Sequence, residues 1–397
     1  MIEVSNLRKY SPREGVVRLE ADIKFQGMDS PYPTDTIYFE IDEKISYMLV
    51  DDSYDPFVLV PLFVAMFHKQ TLHIRGKISK RLYQNVKWYI RQIFCDYSPN
   101  LSHVNFIVDG FTNPPETRGK IIGASISCGV DALSTIYDHF VREDDPDYRI
   151  NALFYFNHDM KNHRMNSAGQ TLYQILLPLN QAAAEDIGLP LYSMESNVHI
   201  FNGVIVQMRQ KFISMSYIAL YSCILALGNA ISRYYISNGS SYEEKKMFRE
   251  HYHDNDMAGF CDMYLVPLVS NERTDLIIDG CQYRRVDKLK KIVDWDITKK
   301  HLNVCWTNNP DGSNCGVCPK CLRTLFPLEI MGKLDDYAKV FDIEQYMKNS
   351  FAYKVHCVQN YGKDPFETQS FDFAKENNFP MPQEVKGFVL NGQVALI

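Results

Sequence analysis

Lys120-Ile121-Ile122-Gly123-Ala124-Ser125-Ile126-Ser127-Cys128-Gly129-Val130-Asp131 reads as a strand, a tight turn and the start of a helix. The spacing predicts a strand over Lys120–Ser125 and a helix from Asp131 to Val141. A turn of this kind gathers backbone N–H groups and the positive end of a helix dipole around one point. An anion bound there satisfies donors that would otherwise be orphaned. Ser125, Ser127, Cys128, Gly129, Val130 and Asp131 are therefore the candidate phosphate-binding residues. Ser127 would add a hydroxyl, Gly129 permits close backbone approach, and Asp131 opens the helix. No Gly-Lys-Ser/Thr follows, so this is not a Walker loop. Cys128 at a helix start has the setting of a reactive thiolate, but no histidine partner stands near it in sequence. A small side chain filling a tight turn is the favoured reading.

Working outward, strands and helices alternate, the rhythm of a parallel sheet with crossover helices. Ile150–Phe156 is a second strand, closing on Asn157-His158-Asp159. A helix over Ala168–Ile187 ends at Gly188, a residue suited to a left-handed cap. Pro190–Met194 is a third strand, Ser214–Ile231 a buried helix, and Arg233–Ile236 a fourth strand that runs into Asn238-Gly239. Val286–Val293 is a further helix. His158 and His163 follow the carboxyl end of the second strand, where ligands of open α/β sheets bind. Asn157 and His158 join the candidate ligand-binding residues on that ground.

At 397 residues the chain is too long for one ordinary core. Residues 1–115 read as an α+β module, with half-buried strands at Val16–Phe25 and Asp35–Ile41. There Pro56–Phe67 is apolar nearly throughout, and Lys80–Phe94 fits an amphipathic helix. The Pro-rich break Thr112-Asn113-Pro114-Pro115 ends this module. An α/β domain spans 116–335 and an extension covers 336–397. The net charge of −6 argues against a nucleic-acid partner. Lys288-Leu289-Lys290-Lys291 reads as a solvated helix face before any other role.

Cys305 precedes the run Asn314-Cys315-Gly316-Val317-Cys318-Pro319-Lys320-Cys321. Four thiols at this spacing suit a closed tetrahedral zinc site. An iron–sulfur cluster is the competing occupant, but the Cys-Pro that completes a ferredoxin run is missing. The other six of the ten cysteines, Cys95, Cys128, Cys223, Cys261, Cys281 and Cys357, lie among apolar neighbours. This pattern fits a reducing compartment. The start Met1-Ile2-Glu3-Val4-Ser5 lacks a signal-peptide pattern, and the apolar run Met215–Ile231 is interrupted by polar residues. A cytoplasmic protein without a membrane span is expected.

The loop at Ser127 resembles the Ser-Gly-Gly-X-Asp-Ser loop of the PP-loop ATP pyrophosphatases. Together with Cys305, Cys315-Gly316, Cys318, Cys321 and Arg323, it resembles the 7-cyano-7-deazaguanine synthases of that family. The resemblance covers about 118–335, and the flanking regions would make this an enlarged relative. Cys128 departs from the pattern at its first Gly, and Ala132 at its last Ser or Thr. The resemblance implies a HUP-like nucleotide-binding domain that uses ATP and Mg²⁺, with structural zinc. It implies adenylation of a deazaguanine-like carboxylate, release of pyrophosphate, and displacement of AMP by ammonia; a second round converts the amide to a nitrile. Asp131 and Lys288 would then be catalytic, with Arg285 beside the phosphates. Larger homologues in antiphage defence imply a partner protein as acceptor, and an oligomer is compatible with all of this. The alternative is a degenerate member that binds nucleotide or a partner without turnover.

Overall fold

The computed structural model describes residues 1–209, 215–244 and 262–382, with a short strand pair at 389–390 and 393–394. Ser214, the expected start of the buried helix, and Cys261 lie outside the described residues. In chain order the N-terminal part comprises β1 (Ile2–Arg13), β2 (Val16–Phe25), β3 (Thr36–Asp42), α1 (Leu59–His68) and β4 (Leu72–Ile78). It continues with α2 (Lys80–Asn85), which runs through a π-helical turn at Val86–Ile90 into α3 (Arg91–Tyr97), and ends with β5 (Phe106–Phe111). Next come β6 (Ile121–Ser125), α4 (Val130–Ile136) and its π-helical continuation Tyr137–Arg142, β7 (Ala152–Asn157), α5 (Leu172–Ile187) and β8 (Leu191–Ser196). The remainder contains α6 (His199–Arg209), α7 (Ser216–Ala226), β9 (Ile231–Ser237), α8 (Asp262–Val269), β10 (Asp275–Asp279), α9 (Arg285–Ile292), α10 (Asp296–His301), α11 (Pro319–Ile330), α12 (Ile343–Gln359) and α13 (Pro365–Glu376).

All ten of the strands β1–β10 belong to one sheet, in the order β10-β9-β6-β7-β8-β3-β2-β1-β4-β5. Strands β6 to β10 are mutually parallel. Their order reverses after β6: β7 and β8 extend one way, β9 and β10 the other. This is the doubly wound arrangement, in which the carboxyl ends of the two strands flanking the reversal open a crevice. Helices α4, α5 and α9–α11 pack on one face with β6 and β7. Helices α1 and α6–α8 cover the other. Strand β7 is buried along its whole length, as a central strand covered on both faces must be.

The expected boundary near 115 falls in the loop between β5 and β6, yet it separates neither sheets nor cores. Strand β8 pairs with β3 antiparallel through Phe39–Ser196 and Glu40–Glu195. Phe39, Phe57 and Phe63 share one buried cluster with Phe154, Met194 and Tyr234. Likewise α12 and α13 bury Tyr346, Tyr353, Cys357 and Ala374 against Leu325 and Phe326 of α11. The buried helix expected to reach Ile231 ends at Ala226, because Leu227 leaves helical geometry and Gly228-Asn229 turn the chain into β9. The expected Gly188 cap is present at φ 86°, and α5 begins with a capping box between Thr171 and Gln174. Among the described residues no helix is long and apolar enough to cross a membrane.

The seam between β8 and β3 is held largely by side chains. Buried Asn197 accepts from the Tyr38 N–H (2.9 Å) and donates to the Thr36 carbonyl (2.8 Å), while the Ser196 hydroxyl donates to the Tyr38 carbonyl (2.7 Å). Asn197 thus substitutes for the backbone of a strand that stops too early. Replacing Asn197 by Ala leaves a half-buried N–H and a half-buried carbonyl unpaired and should cost about 1–3 kcal/mol. Urea unfolding of the variant against the parent measures this; an unchanged midpoint would show the seam to be incidental.

Candidate functional site

Strand β6 delivers the chain to the sheet's carboxyl edge, where Ile126 N–H bonds the Phe154 carbonyl at 2.9 Å. Cys128 then adopts a left-handed conformation, φ 54°. Its carbonyl accepts from the Asn303 N–H at 2.8 Å, and its thiol donates to Asn180 Oδ1 at 3.3 Å. The side chain lies in the buried cluster with Ile126, Val130 and Leu133. Burial pushes the thiol up to about 12, which keeps it protonated near neutral pH. Ser127 is exposed at the turn, while Gly129 and Val130 lead into α4. The Ser125 hydroxyl is engaged by Tyr234 across the sheet at 2.8 Å. Ala132 is buried and brings no hydroxyl.

Asp131, in the first turn of α4, is the electrostatic pivot. Its Oδ2 is ion-paired with Arg285, and its Oδ1 with Lys288 at 3.2 Å. Burial pushes this carboxyl upward, but the two cations outweigh it and hold it below the usual range. Lys288, expected on a solvated face, is fully buried. Its ammonium also donates to the Asn238 carbonyl at the end of β9. Gly280, φ 86°, makes room for it: a Cβ there would come within 3.1 Å of Nζ. Asp131, Arg285 and Lys288 thus converge beside the β6–β9 reversal.

Asn157 ends β7 with its Oδ1 buried, and neither it nor the buried Arg285 Nε has a hydrogen-bond partner among the described residues. His158 donates from Nδ1 to the Phe156 carbonyl at 3.1 Å, and burial lowers its pKa. His163 stands apart from the ion pairs and stacks on His199, centroids 3.4 Å apart. Burial and His199 pull His163 down to about 4.

Two cations join this site that the motifs alone do not single out. Lys320 lies between Cys318 and Cys321 in sequence, in the first turn of α11. Burial, with Arg285 and Lys161 nearby, pulls its ammonium down to about 8. Lys161 donates to the Cys305 carbonyl at 3.0 Å. Each ammonium approaches the Trp306 ring, at 5.1 Å for Lys320 and 6.0 Å for Lys161. Neither carries a motif of its own: the sequence signals that could have found them are the place of Lys320 between two cysteines of the run and that of Lys161 just after the second strand.

Cys305, Cys315, Cys318 and Cys321 bring their sulfurs within 4.8 Å of one another. The Cys305–Cys318, Cys315–Cys321 and Cys318–Cys321 separations are 3.8, 4.0 and 3.6 Å. A tetrahedron of sulfurs around one zinc ion has edges of about 3.8 Å, so the donor set fits a single ion. A multi-iron cluster, with each sulfur on its own iron, would hold them farther apart. Backbone N–H groups of Asn308 and Cys315 point at the Cys305 sulfur, at 3.0 and 3.4 Å, and that of Cys318 at the Cys315 sulfur, at 3.3 Å. Gly316 supplies the left-handed turn, φ 74°. Asn314 pins the loop to Leu302 and Val340 carbonyls, both at 2.9 Å.

The tail braces the site from outside. Buried Gln369 of α13 accepts from the Val286 N–H at 3.0 Å and donates to Glu244 at 2.6 Å. Arg284 pairs with Glu376 at 2.9 Å. No sequence signal marked Gln369.

No protein-family model, curated protein or solved structure matches this chain.

Two measurements test this geometry. Purified protein should carry about one metal ion per chain by elemental analysis, Cys318→Ser should lose it, and chelation should lower the melting temperature. A metal-free parent that melts no lower would rule the centre out. His163 has a folded pKa near 4 and an unfolded value near 6.5. Its contribution is therefore complete above about 6.5 and lost as pH falls toward 4. Discounted for partial exposure, that loss is about 2 kcal/mol, and His163→Phe should show a correspondingly flatter stability profile over this window.

Proposed function

We propose that this chain is an ATP-dependent ligase of the PP-loop type that adenylates a carboxylate. The observation that carries the proposal is the position of the Ser127–Asp131 loop. It sits at the strand-order reversal of a doubly wound sheet, next to Arg285 and Lys288. Phosphates are the ligands this chemistry recognises: backbone N–H donors at a helix start, and an excess of cations over carboxylates.

In the proposed reaction a carboxylate oxygen attacks the α-phosphorus of ATP. The bond to the bridging oxygen breaks and its electron pair leaves with pyrophosphate. Ammonia then attacks the acyl carbon of the adenylate. The C–O bond breaks, AMP departs, and the nitrogen gives up a proton to solvent as the amide forms. Arg285 and Lys288 neutralise charge on the departing phosphates, and preorganised cations of this kind act without reorganisation. Asp131 holds both in place and is not a free base, since each of its oxygens is already ion-paired. Mg²⁺ would arrive on the polyphosphate, as it commonly does. The centre of four thiols would be closed structural zinc, because all four positions are filled by sulfur. Such thiols suit a reducing compartment, and cytoplasmic residence belongs to the same proposal.

The acceptor, a deazaguanine-like acid, follows from the resemblance of the loop and cysteine motifs. A partner protein as the final acceptor rests on the same ground. Ala132 favours a second reading, in which nucleotide binds without turnover, because the loop lacks the hydroxyl that would complete its phosphate contacts.

Incubation with Mg²⁺-ATP and ammonia, with and without 7-carboxy-7-deazaguanine, tests the proposal. AMP that appears only with the acid, together with an amide or nitrile, is the expected result. Bound ATP that is never cleaved, with this acid or any partner protein, would establish the second reading. Asp131→Asn should lower turnover by about 10²–10³-fold, as loss of a preorganised charge does, and an unaltered rate would remove Asp131 from the machinery.

A further inference from the structure

We propose that the metal centre forms one wall of the phosphate site, with Lys320 and Lys161 as direct ligands of a polyphosphate. This inference rests on the nucleotide reading above and adds residues and a coupling that the reading does not contain.

Two links join the thiol centre to the phosphate loop, and a third ties it to Lys161. The first is through backbone. Asn303 lies two residues before Cys305, and its N–H caps the carbonyl of left-handed Cys128 at 2.8 Å. Its side chain is anchored within the cysteine loop, donating to the Gly312 carbonyl at 2.7 Å. The second is Lys320, in the first turn of α11 between Cys318 and Cys321 in sequence. Its charge acts on both Asp131 and Arg285. The third is Lys161, tied through its own ammonium to the carbonyl of Cys305. Trp306, next in sequence to that ligand and over half exposed, has both ammonium groups near its ring.

Arg285 and Lys288 share Asp131 as counter-ion. Lys320 has no carboxylate within ion-pairing distance among the described residues. Among the described residues Lys161 has the Cys305 carbonyl, the Trp306 ring and the more distant Asp159. A centre of four thiolates around a divalent ion is itself anionic, so the two lysines have one structural alternative: they balance the sulfurs alone. The N–H groups of Asn308, Cys315 and Cys318 already serve the Cys305 and Cys315 sulfurs. Lys320 instead acts on Asp131 and Arg285 beside the loop, with Lys161 near it at the Trp306 ring, and their combined charge matches a polyphosphate better than a monophosphate.

Coupling between two ligands of one protein is reciprocal. Pyrophosphate should therefore slow metal loss to a chelator, and the effect should need Lys320. The probes are inorganic pyrophosphate and AMP, titrated calorimetrically into metal-loaded full chain, with metal content checked for every variant. Lys320→Met and Lys161→Met should each weaken pyrophosphate by about tenfold or more and AMP by far less, with metal retained. Chelator-driven metal release should slow with pyrophosphate in the parent and not in Lys320→Met. Unaltered pyrophosphate affinity in both variants, with faster metal loss, would make the lysines counter-ions of the sulfurs and overturn the proposal while leaving the nucleotide reading intact. A parent that binds neither pyrophosphate nor ATP would remove both.

Discussion

Everything at the carboxyl edge of the sheet depends on one turn, at Cys128. A non-glycine residue in the left-handed region carries a cost of about 1 kcal/mol or more, and the surroundings must offset it. Here the thiol is buried against Asn180 and the carbonyl is capped by Asn303. Both partners come from elsewhere in the chain, one from α5 and one from the approach to the thiol centre. The turn aims α4 so that Asp131 faces Arg285 and Lys288. A cysteine at this left-handed position thus trades backbone freedom for a side-chain anchor, and the loop keeps its shape only while the helix layer and the cysteine loop are in place.

The same logic extends to the sheet. Five parallel strands with a reversal after β6 provide the crevice, but β8 would be an exposed edge if the chain ended there. The N-terminal strands cover it, and Asn197 and Ser196 make the join with side chains where the ladder is only two residue pairs long. The first hundred residues therefore share structural work with the α/β part, burying one of its faces beneath α1.

How much of this was legible follows from what each residue pattern encodes. The alternation of apolar strands with amphipathic helices, the cap at Gly188 and the cysteine spacing are local properties, and local properties are written in sequence. Strand β10, Asp275-Leu276-Ile277-Ile278-Asp279, is too short to distinguish from a buried helical turn. Strand β1 carries Arg8, Lys9, Tyr10 and Arg13 along its exposed half, so its alternation fades. Lys288 looked solvated because Lys290 and Lys291 follow it. Only the three-dimensional meeting with Asp131 and Asn238 buries it. The fusion of two expected modules into one sheet was illegible for a related reason: Asn197 has no strand signature, and its role exists only once β3 lies beside it.

The tail shows how far the constraint at the turn reaches. Gln369 sits more than eighty residues from Val286 and more than a hundred from Glu244, yet it bonds both. Val286 opens the helix that carries Lys288, and Glu244 closes a capping box with Ser241 just beyond Asn238, the carbonyl partner of Lys288. Gln369 thus fixes the two segments between which the Lys288 ammonium is held. A buried amide bonded at both ends is neutral, so it braces this position without adding charge to a site whose excess of cations is its defining property. An acid in its place would face Glu244 and draw Arg285 or Lys288 away from Asp131. The chemistry of the site thus constrains a residue that touches none of its ligands.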